Sequence, residues 1–309
     1  MSSSGNAKSN APQIAALILA IIFVAAVLAG ARVLVDRHVY KPVGMSPVNA
    51  PKANSQQCHD VVNALPNSSG KFRRVDLLEP APEGAAAYRN SEGKQLTVRC
   101  GVDAPDQYTK LTTLEDHGGG KWMHVKDATP GSNLNSWYQV GGGPVLAVSG
   151  EAGSTELLDD LGASVKDKPG DAPTPRPFPL SDLKEAKANK CEPFLGTLPP
   201  RFEGGYHREQ VADAPRGTAV YLNDDGLEPI VIRCGVAMPK DYQPGATINQ
   251  VNEVPWFEDA SLAQGSTAGL WYAVGHEDVV ALRMPGDSGN SVITQVSDAI
   301  AKTMDKRGS

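Results

Sequence analysis

The hydrophobic and polar positions divide the chain into one long apolar run near the N-terminus and a longer stretch of short, alternating segments. The apolar run covers the 18 residues 14–31, none of which is charged or strongly polar. As a helix, such a run rises about 27 Å, which is close to the thickness of a bilayer core. Because Arg32 can extend its side chain to the headgroups, we predict a transmembrane helix at residues 14–35.

A cleaved signal peptide is the competing interpretation of this run. Ala29, Gly30 and Ala31 form a small-residue site of the kind that signal peptidase cleaves. However, residues 1–13 carry only one basic residue, Lys8, and the apolar stretch is long for the core of a signal peptide. We therefore expect a retained helix, with residues 1–13 as a cytoplasmic tail.

After the apolar run, the pattern changes to short segments with the periods of strands and amphipathic helices. It predicts a helix at residues 58–65, a strand at 96–100, a hairpin at 137–140 and 145–148, and a helix at 156–165. The series returns as a strand at residues 230–234, a hairpin at 271–274 and 279–282, and a helix at 290–304. Helices at both ends of a run of strands imply an α+β fold, in which an antiparallel sheet carries helices on one face.

The series returns because the chain contains an internal repeat. The shift is 133 residues between Cys58 and Cys191, and 134 residues between Arg99 and Arg233 and beyond, after one insertion. All four cysteines and all four tryptophans pair in this way. Chance does not produce such a match, so we expect two tandem copies of one domain.

The repeat suggests how the whole chain is organised. We divide it into a cytoplasmic tail at residues 1–13, a transmembrane helix at 14–35, a linker at 36–57, a first repeat domain at 58–166, a proline-rich linker at 167–184 and a second repeat domain at 185–305. Five prolines between Pro169 and Pro179 predict an extended, semi-rigid spacer that is not part of a core. The polar linker should hold the first domain off the membrane.

Each copy owns two cysteines at matching places, which predicts the disulfides Cys58–Cys100 and Cys191–Cys234. Each would close a loop of about 43 residues, and loop entropy assigns such a bridge roughly 4 kcal/mol. Free thiols or a shared metal site are the alternative, but no C-x-x-C or Cys-His spacing is present. Disulfides persist in oxidising compartments, so we expect the domains outside the cytoplasm although basic residues are more frequent after the apolar run than before it.

Several motifs resemble a known family: a Cys-x(6)-Leu-Pro segment, the Arg-Cys-Gly-Val strand ends, Val251–Trp256 and Trp271–Gly275. In these the chain is similar to actinobacterial envelope proteins known as domain of unknown function 3515, with one such domain in each copy. The first copy departs from the pattern before Trp122. The resemblance implies a membrane-anchored protein of an actinobacterial cell envelope, and it transfers no activity, cofactor or catalytic residue.

Charge and motifs argue against nucleic-acid binding and against several enzyme classes. The net charge of -6 provides no basic patch for nucleic acid. Gly286–Gly289 spells a serine-protease motif without the histidine segment that would activate the serine. We predict instead that Ser288 caps the last helix through its hydroxyl, as Ser154 could in the first copy. None of the six histidines recurs in the other copy, and we predict no catalytic, cofactor-binding or metal-binding residue.

The residues that do recur are cysteine, glycine, proline and aromatics, which fix the backbone and fill cores. If a shared surface site exists, Trp122 and Trp256 are its candidates, because each follows glycine or proline in a context typical of loops. We expect a non-enzymatic interaction module, or an accessory subunit of an envelope membrane complex, that binds another envelope or membrane protein. The alternative is a protein that binds cell-wall glycan or lipid. In either case we expect a single-pass protein of the cell membrane, anchored by its N-terminal helix.

Overall fold

The computed structural model describes residues 11–127, 129, 131–151, 155–165, 170, 172–224, 226–243, 245–259, 268–286 and 288–308. Helix α1 (Ala11–Val39) comes first and is followed by two domains, each built on an eight-stranded antiparallel sheet. The stretch Ile14–Leu34 of α1 has 21 residues, a mean hydropathy of 2.9 and no buried residue. It is long and apolar enough to cross a membrane, and a signal sequence has the same character.

The two domains contain the same elements in the same order. The first consists of α2 (Gln56–Ala64), β1 (Ser68–Ser69), β2 (Phe72–Val75), β3 (Ala85–Arg89), β4 (Gln95–Cys100), β5 (Leu114–His117), β6 (Gly120–Lys126), β7 (Asn135–Gln139), β8 (Leu146–Gly150) and α3 (Thr155–Val165). The second consists of α4 (Cys191–Thr197), β9 (Arg201–Phe202), β10 (Tyr206–Glu209), β11 (Thr218–Asn223), β12 (Ile230–Cys234), β13 (Ile248–Val251), β14 (Val254–Asp259), β15 (Ala268–Ala273), β16 (Val280–Pro285) and α5 (Gly289–Thr303).

Both sheets have the same strand order. From edge to edge it is β1-β2-β3-β4-β8-β7-β6-β5 in the first domain and β9-β10-β11-β12-β16-β15-β14-β13 in the second. Each sheet therefore joins two four-stranded meanders at its centre, where β4 pairs with β8 and β12 pairs with β16. Two antiparallel sheets with helices, each with one disulfide, confirm the α+β repeat predicted from the sequence.

The helices pack on one face of each sheet and enclose a core with matching aromatic residues. These are Phe72, Tyr88 and Trp122 in the first domain, and Phe202, Tyr221 and Trp256 in the second. An arginine and a tyrosine also hold the C-terminal end of each first helix by donating hydrogen bonds to carbonyls there: Arg74 to Val62 (3.0 Å) and Tyr88 to Pro66 (2.8 Å), then Arg208 to Leu195 (2.8 Å) and Tyr221 to Pro199 (2.7 Å). The carbonyls at a helix end need such partners.

The proline-rich linker is part of a core, which corrects the prediction of a free spacer. Phe178 and Leu180 are 7% and 6% exposed, and they pack on the outer face of the second sheet, away from the helices. Leu111 of the first domain joins the same cluster. Because this face is covered as well, all five residues of β12 are buried, whereas buried and partly exposed residues alternate along β4.

One repeated arginine fastens each connector to its sheet. Arg233, which is 2% exposed, donates hydrogen bonds to the carbonyls of Leu180 (2.6 Å) and Leu183 (3.0 Å). Arg99 donates to the carbonyl of Ser46, the residue that matches Leu180 at the 134-residue shift. The linker before the first domain is therefore also attached to its sheet.

The start of the last helix differs from the prediction. Ser288 is the N-terminal capping residue of α5, but its hydroxyl makes no hydrogen bond to the helix N–H groups. It donates instead to the carbonyl of Pro285 at 2.6 Å, which stabilises the turn before the helix. Ser154, its expected counterpart, lies outside the described residues.

Replacing Arg233 with methionine should destabilise the protein by about 2–4 kcal/mol, because buried carbonyls lose a charged donor. The matched change Arg99→Met should cost less than about 1 kcal/mol, since Arg99 is partly exposed and water can replace it. Urea unfolding of the full-length protein in mild detergent measures both. Equal losses would contradict the different roles assigned to the two arginines.

Candidate functional site

The two tryptophans proposed as a surface site are buried, and the structure corrects that prediction. Trp122 lies in β6 and Trp256 in β14, and both are 0% exposed. Nε1 of Trp256 donates to Oγ of Ser297 on α5 at 2.9 Å, and Nε1 of Trp122 donates to the carbonyl of His117 at 3.3 Å. Their recurrence reflects the packing of helix on sheet.

Replacing Trp256 with alanine should therefore lower the free energy of unfolding by about 3–5 kcal/mol, the usual cost of removing a buried tryptophan. Ile248→Ala on the neighbouring edge strand is the control. Ile248 is 40% exposed, so its change should cost less than about 1 kcal/mol. A similarly small loss for Trp256→Ala, measured by urea unfolding, would show that the indole ring is not part of the core.

A cleft of about 220 Å³ lies where the two domains meet. One wall is His124, whose ring stacks on Trp137 with 4.8 Å between the ring centroids. Nε2 of His124 lies 2.8 Å from Oδ1 of Asn135. Gly226 of the second domain comes so close that a Cβ atom there would lie 2.7 Å from Nδ1 of His124.

The cleft has the character of a contact between the domains. It is smaller than the roughly 300–1,000 Å³ of typical ligand pockets. Its buried carboxylate, Glu228, forms an ion pair with Arg283 at 2.9 Å, so it is not available as a catalytic base. The N–H of Lys126 donates to the carbonyl of Gly226 across the boundary at 3.4 Å.

A buried histidine of the second domain lies outside this cleft. His276 is 1% exposed, and its Nδ1 has no hydrogen-bond partner among the described residues. Burial holds the pKa of His276 below its ordinary value, and the charge of Lys306 acts in the same direction. A neutral imidazole enclosed in a turn is a structural residue.

The larger cavity lies beside the second disulfide. This second-domain groove has a volume of about 510 Å³, and its walls include Asn189, Cys191, Glu192, Arg216, Gly217 and Gly235. It runs between the segment that leads into α4 and the start of β11. Cys191 is partly exposed, so the disulfide forms part of the groove's surface.

The first domain fills the corresponding place with its own chain. Ala53 of the first connector is 8% exposed there, and its Cα lies 3.2 Å from where a Cβ of Gly84 would be. Gly217 matches Gly84, and its missing Cβ would meet only atoms of Cys234. A smaller cavity of about 310 Å³ remains in the first domain, but neither cysteine lines it.

The difference comes from one residue in the length of the connectors. Lys52 and Ala186 occupy equivalent places, because the N–H of each donates to the carbonyl of the glycine after the second cysteine, Gly101 (3.0 Å) and Gly235 (2.8 Å) respectively. Six positions separate Lys52 from Cys58, but only five separate Ala186 from Cys191. The shorter path does not reach across the groove, which stays open.

The groove suits binding better than catalysis. Glu192 and Arg216 give its rim both signs of charge, and no pair of nucleophile and base is found among its described residues. Asp278 lies with the sulfurs of Cys191 and Cys234 in a group of metal-ligand type, but the two sulfurs are bonded to each other. The Asp278 carboxylate accepts hydrogen bonds from the backbone N–H groups of Asn189 (3.0 Å) and Lys190 (2.8 Å).

Sequence reasoning missed this groove. Its signal is the change from the 134-residue to the 133-residue shift just before the cysteines. No identical residue pairs Lys52 with Ala186 or Ser46 with Leu180, so the register upstream of the cysteines shows only in the backbone contacts.

Comparison with known proteins gives a family without an activity. A family model described as protein of unknown function (DUF3515) matches the chain twice, over residues 17–174 and residues 161–308. No curated protein and no solved structure matches the chain. Both matched regions include the connector before the first cysteine, in agreement with the packing of the connectors.

Proposed function

We propose that this chain, which belongs to the DUF3515 family of proteins of unknown function, is a membrane-anchored, non-enzymatic interaction module of an actinobacterial cell envelope. In this role it serves as an accessory subunit and binds another envelope or membrane protein outside the cytoplasm. The observation that carries the proposal is the open second-domain groove.

The occupant follows from the comparison of the two domains. In the first domain an extended piece of the chain's own connector lies over the disulfide, between Gly84 and Gly101. The same surface in the second domain is free, and its size falls within the range of ligand sites. We assign the groove to an extended segment of a partner protein, which takes the place that Ala53 holds in the first domain.

The groove offers features that suit a peptide chain. Gly217 and Gly235 leave room for a backbone to approach closely, as the connector does at the matching glycines of the first domain. Arg216 and Glu192 can each pair with a charge of the partner, which gives specificity and orientation.

Anchorage and compartment follow from other parts of the chain. The apolar stretch Ile14–Leu34 supports a single membrane span. Two disulfides support an oxidising environment, which places the domains on the extracytoplasmic side. The alternative of a glycan or lipid binder loses its main motivation, since Trp122 and Trp256 lie in cores and line no cleft.

Affinity purification of the tagged full-length protein from gently solubilised membranes tests the proposal, with mass spectrometry as the readout. We expect one stoichiometric partner, retained through washing. Ala188→Leu, which narrows the groove, and Arg216→Ala, which removes a charge from its rim, should each lower the amount of partner at least about fivefold, or about 1 kcal/mol.

The control is Arg201→Ala, because Arg201 is an exposed arginine of the same domain that does not line the groove. This variant should retain the partner in full. A chain without residues 1–35 should be recovered from the soluble fraction. A partner that all groove variants retain, or the absence of any stoichiometric partner, would count against the proposal.

A further inference from the structure

The two disulfides lie in different surroundings although they are equivalent in the repeat. Cys58 and Cys100 are both 0% exposed, because the longer first connector covers them. Cys191 is partly exposed and Cys234 is 3% exposed, and both line the second-domain groove. One bond is sealed inside a domain, and the other borders a cavity open to solvent.

This difference matters because a disulfide is exchanged by direct attack. A thiolate must approach one sulfur along the axis of the bond, so the rate depends on access to that sulfur. A sealed bond reacts only after the structure around it opens, and the free energy of that opening lowers the rate.

We propose that Cys191–Cys234 is a thiol-exchange site for an extracytoplasmic dithiol, and that Cys58–Cys100 is a permanent structural bond. A thiolate of the dithiol attacks Sγ of Cys191 and forms a mixed disulfide. The bond to Cys234 breaks, and Sγ of Cys234 leaves with the electron pair and takes a proton from water. The second thiolate of the dithiol then displaces Cys191, so the dithiol is oxidised and the protein disulfide is reduced by two electrons.

Asp278 moderates this reaction. A carboxylate oxygen of Asp278 lies within 4.8 Å of both sulfurs. Its negative charge repels the incoming thiolate and disfavours the thiolate that leaves. The first domain has Pro144 at the matching position and lacks this charge. Access and charge therefore act in opposite directions at the second bond, and access dominates because the first bond needs local opening before any thiolate reaches it.

Differential alkylation measures the two rates in one molecule. The native full-length protein in mild detergent is treated with dithiothreitol for increasing times and quenched with iodoacetamide. The remaining disulfides are then reduced and labelled with N-ethylmaleimide, and mass spectrometry of the peptides counts each label. We expect Cys191 and Cys234 to be reduced at least about tenfold faster than Cys58 and Cys100.

Two variants separate access from charge. Ala188→Leu should slow the reduction of Cys191–Cys234 severalfold and leave Cys58–Cys100 unchanged. Asp278→Asn keeps an oxygen that accepts the two backbone hydrogen bonds but removes the charge, so it should speed the same bond severalfold. Equal rates for the two bonds, faster reduction of Cys58–Cys100, or no response to Ala188→Leu would each overturn the proposal. No partner protein enters the assay, so its outcome is independent of the proposed binding function.

Discussion

The fold depends on the end of the central strand, where arginine, cysteine and glycine follow one another in both domains. The arginine binds carbonyls of the connector, the cysteine bonds to the first helix, and the glycine lets the connector pass close to the strand. At Gly101 a Cβ atom would lie 2.3 Å from the carbonyl carbon of Lys52, so any larger residue would displace the connector. Three distant parts of the sequence are thus joined at one point.

This arrangement makes the length of the connector decisive. Both connectors are fixed at one end by a backbone hydrogen bond to the glycine and at the other by the disulfide. One additional residue in the first connector carries Ala53 over the disulfide, and one fewer in the second leaves the disulfide at the surface of a groove. Two domains with one fold can therefore differ in function, with the first closed on itself and the second open to a partner or a thiol.

The sequence predicts the parts of the fold that rest on strong patterns. The repeat, the disulfides and the helices at 58–65, 156–165 and 290–304 agree with the structure to within two residues at each boundary. The central strands and the hairpins were found because their apolar residues are β-branched or aromatic. Strands such as β1, with two residues, and β5, which is mostly exposed, give no periodic signal and were not predicted.

The errors have a common physical origin in tertiary contacts. Proline and glycine around Trp122 and Trp256 suggested loops, yet both residues lie in strands that pack under a helix. The prolines of residues 167–184 suggested a free spacer, but Phe178 and Leu180 cover a sheet face that the sequence leaves apolar. The groove was missed because it is produced by the absence of one residue, which leaves no motif.

The most direct test is to lengthen the second connector by one alanine between Lys187 and Ala188, so that it matches the first. If connector length determines whether the groove is open, the insertion closes it, and dithiothreitol then reduces Cys191–Cys234 about as slowly as Cys58–Cys100. The protein should unfold at the same or a higher urea concentration. An unchanged fast reduction of Cys191–Cys234 in a folded insertion variant would contradict the account.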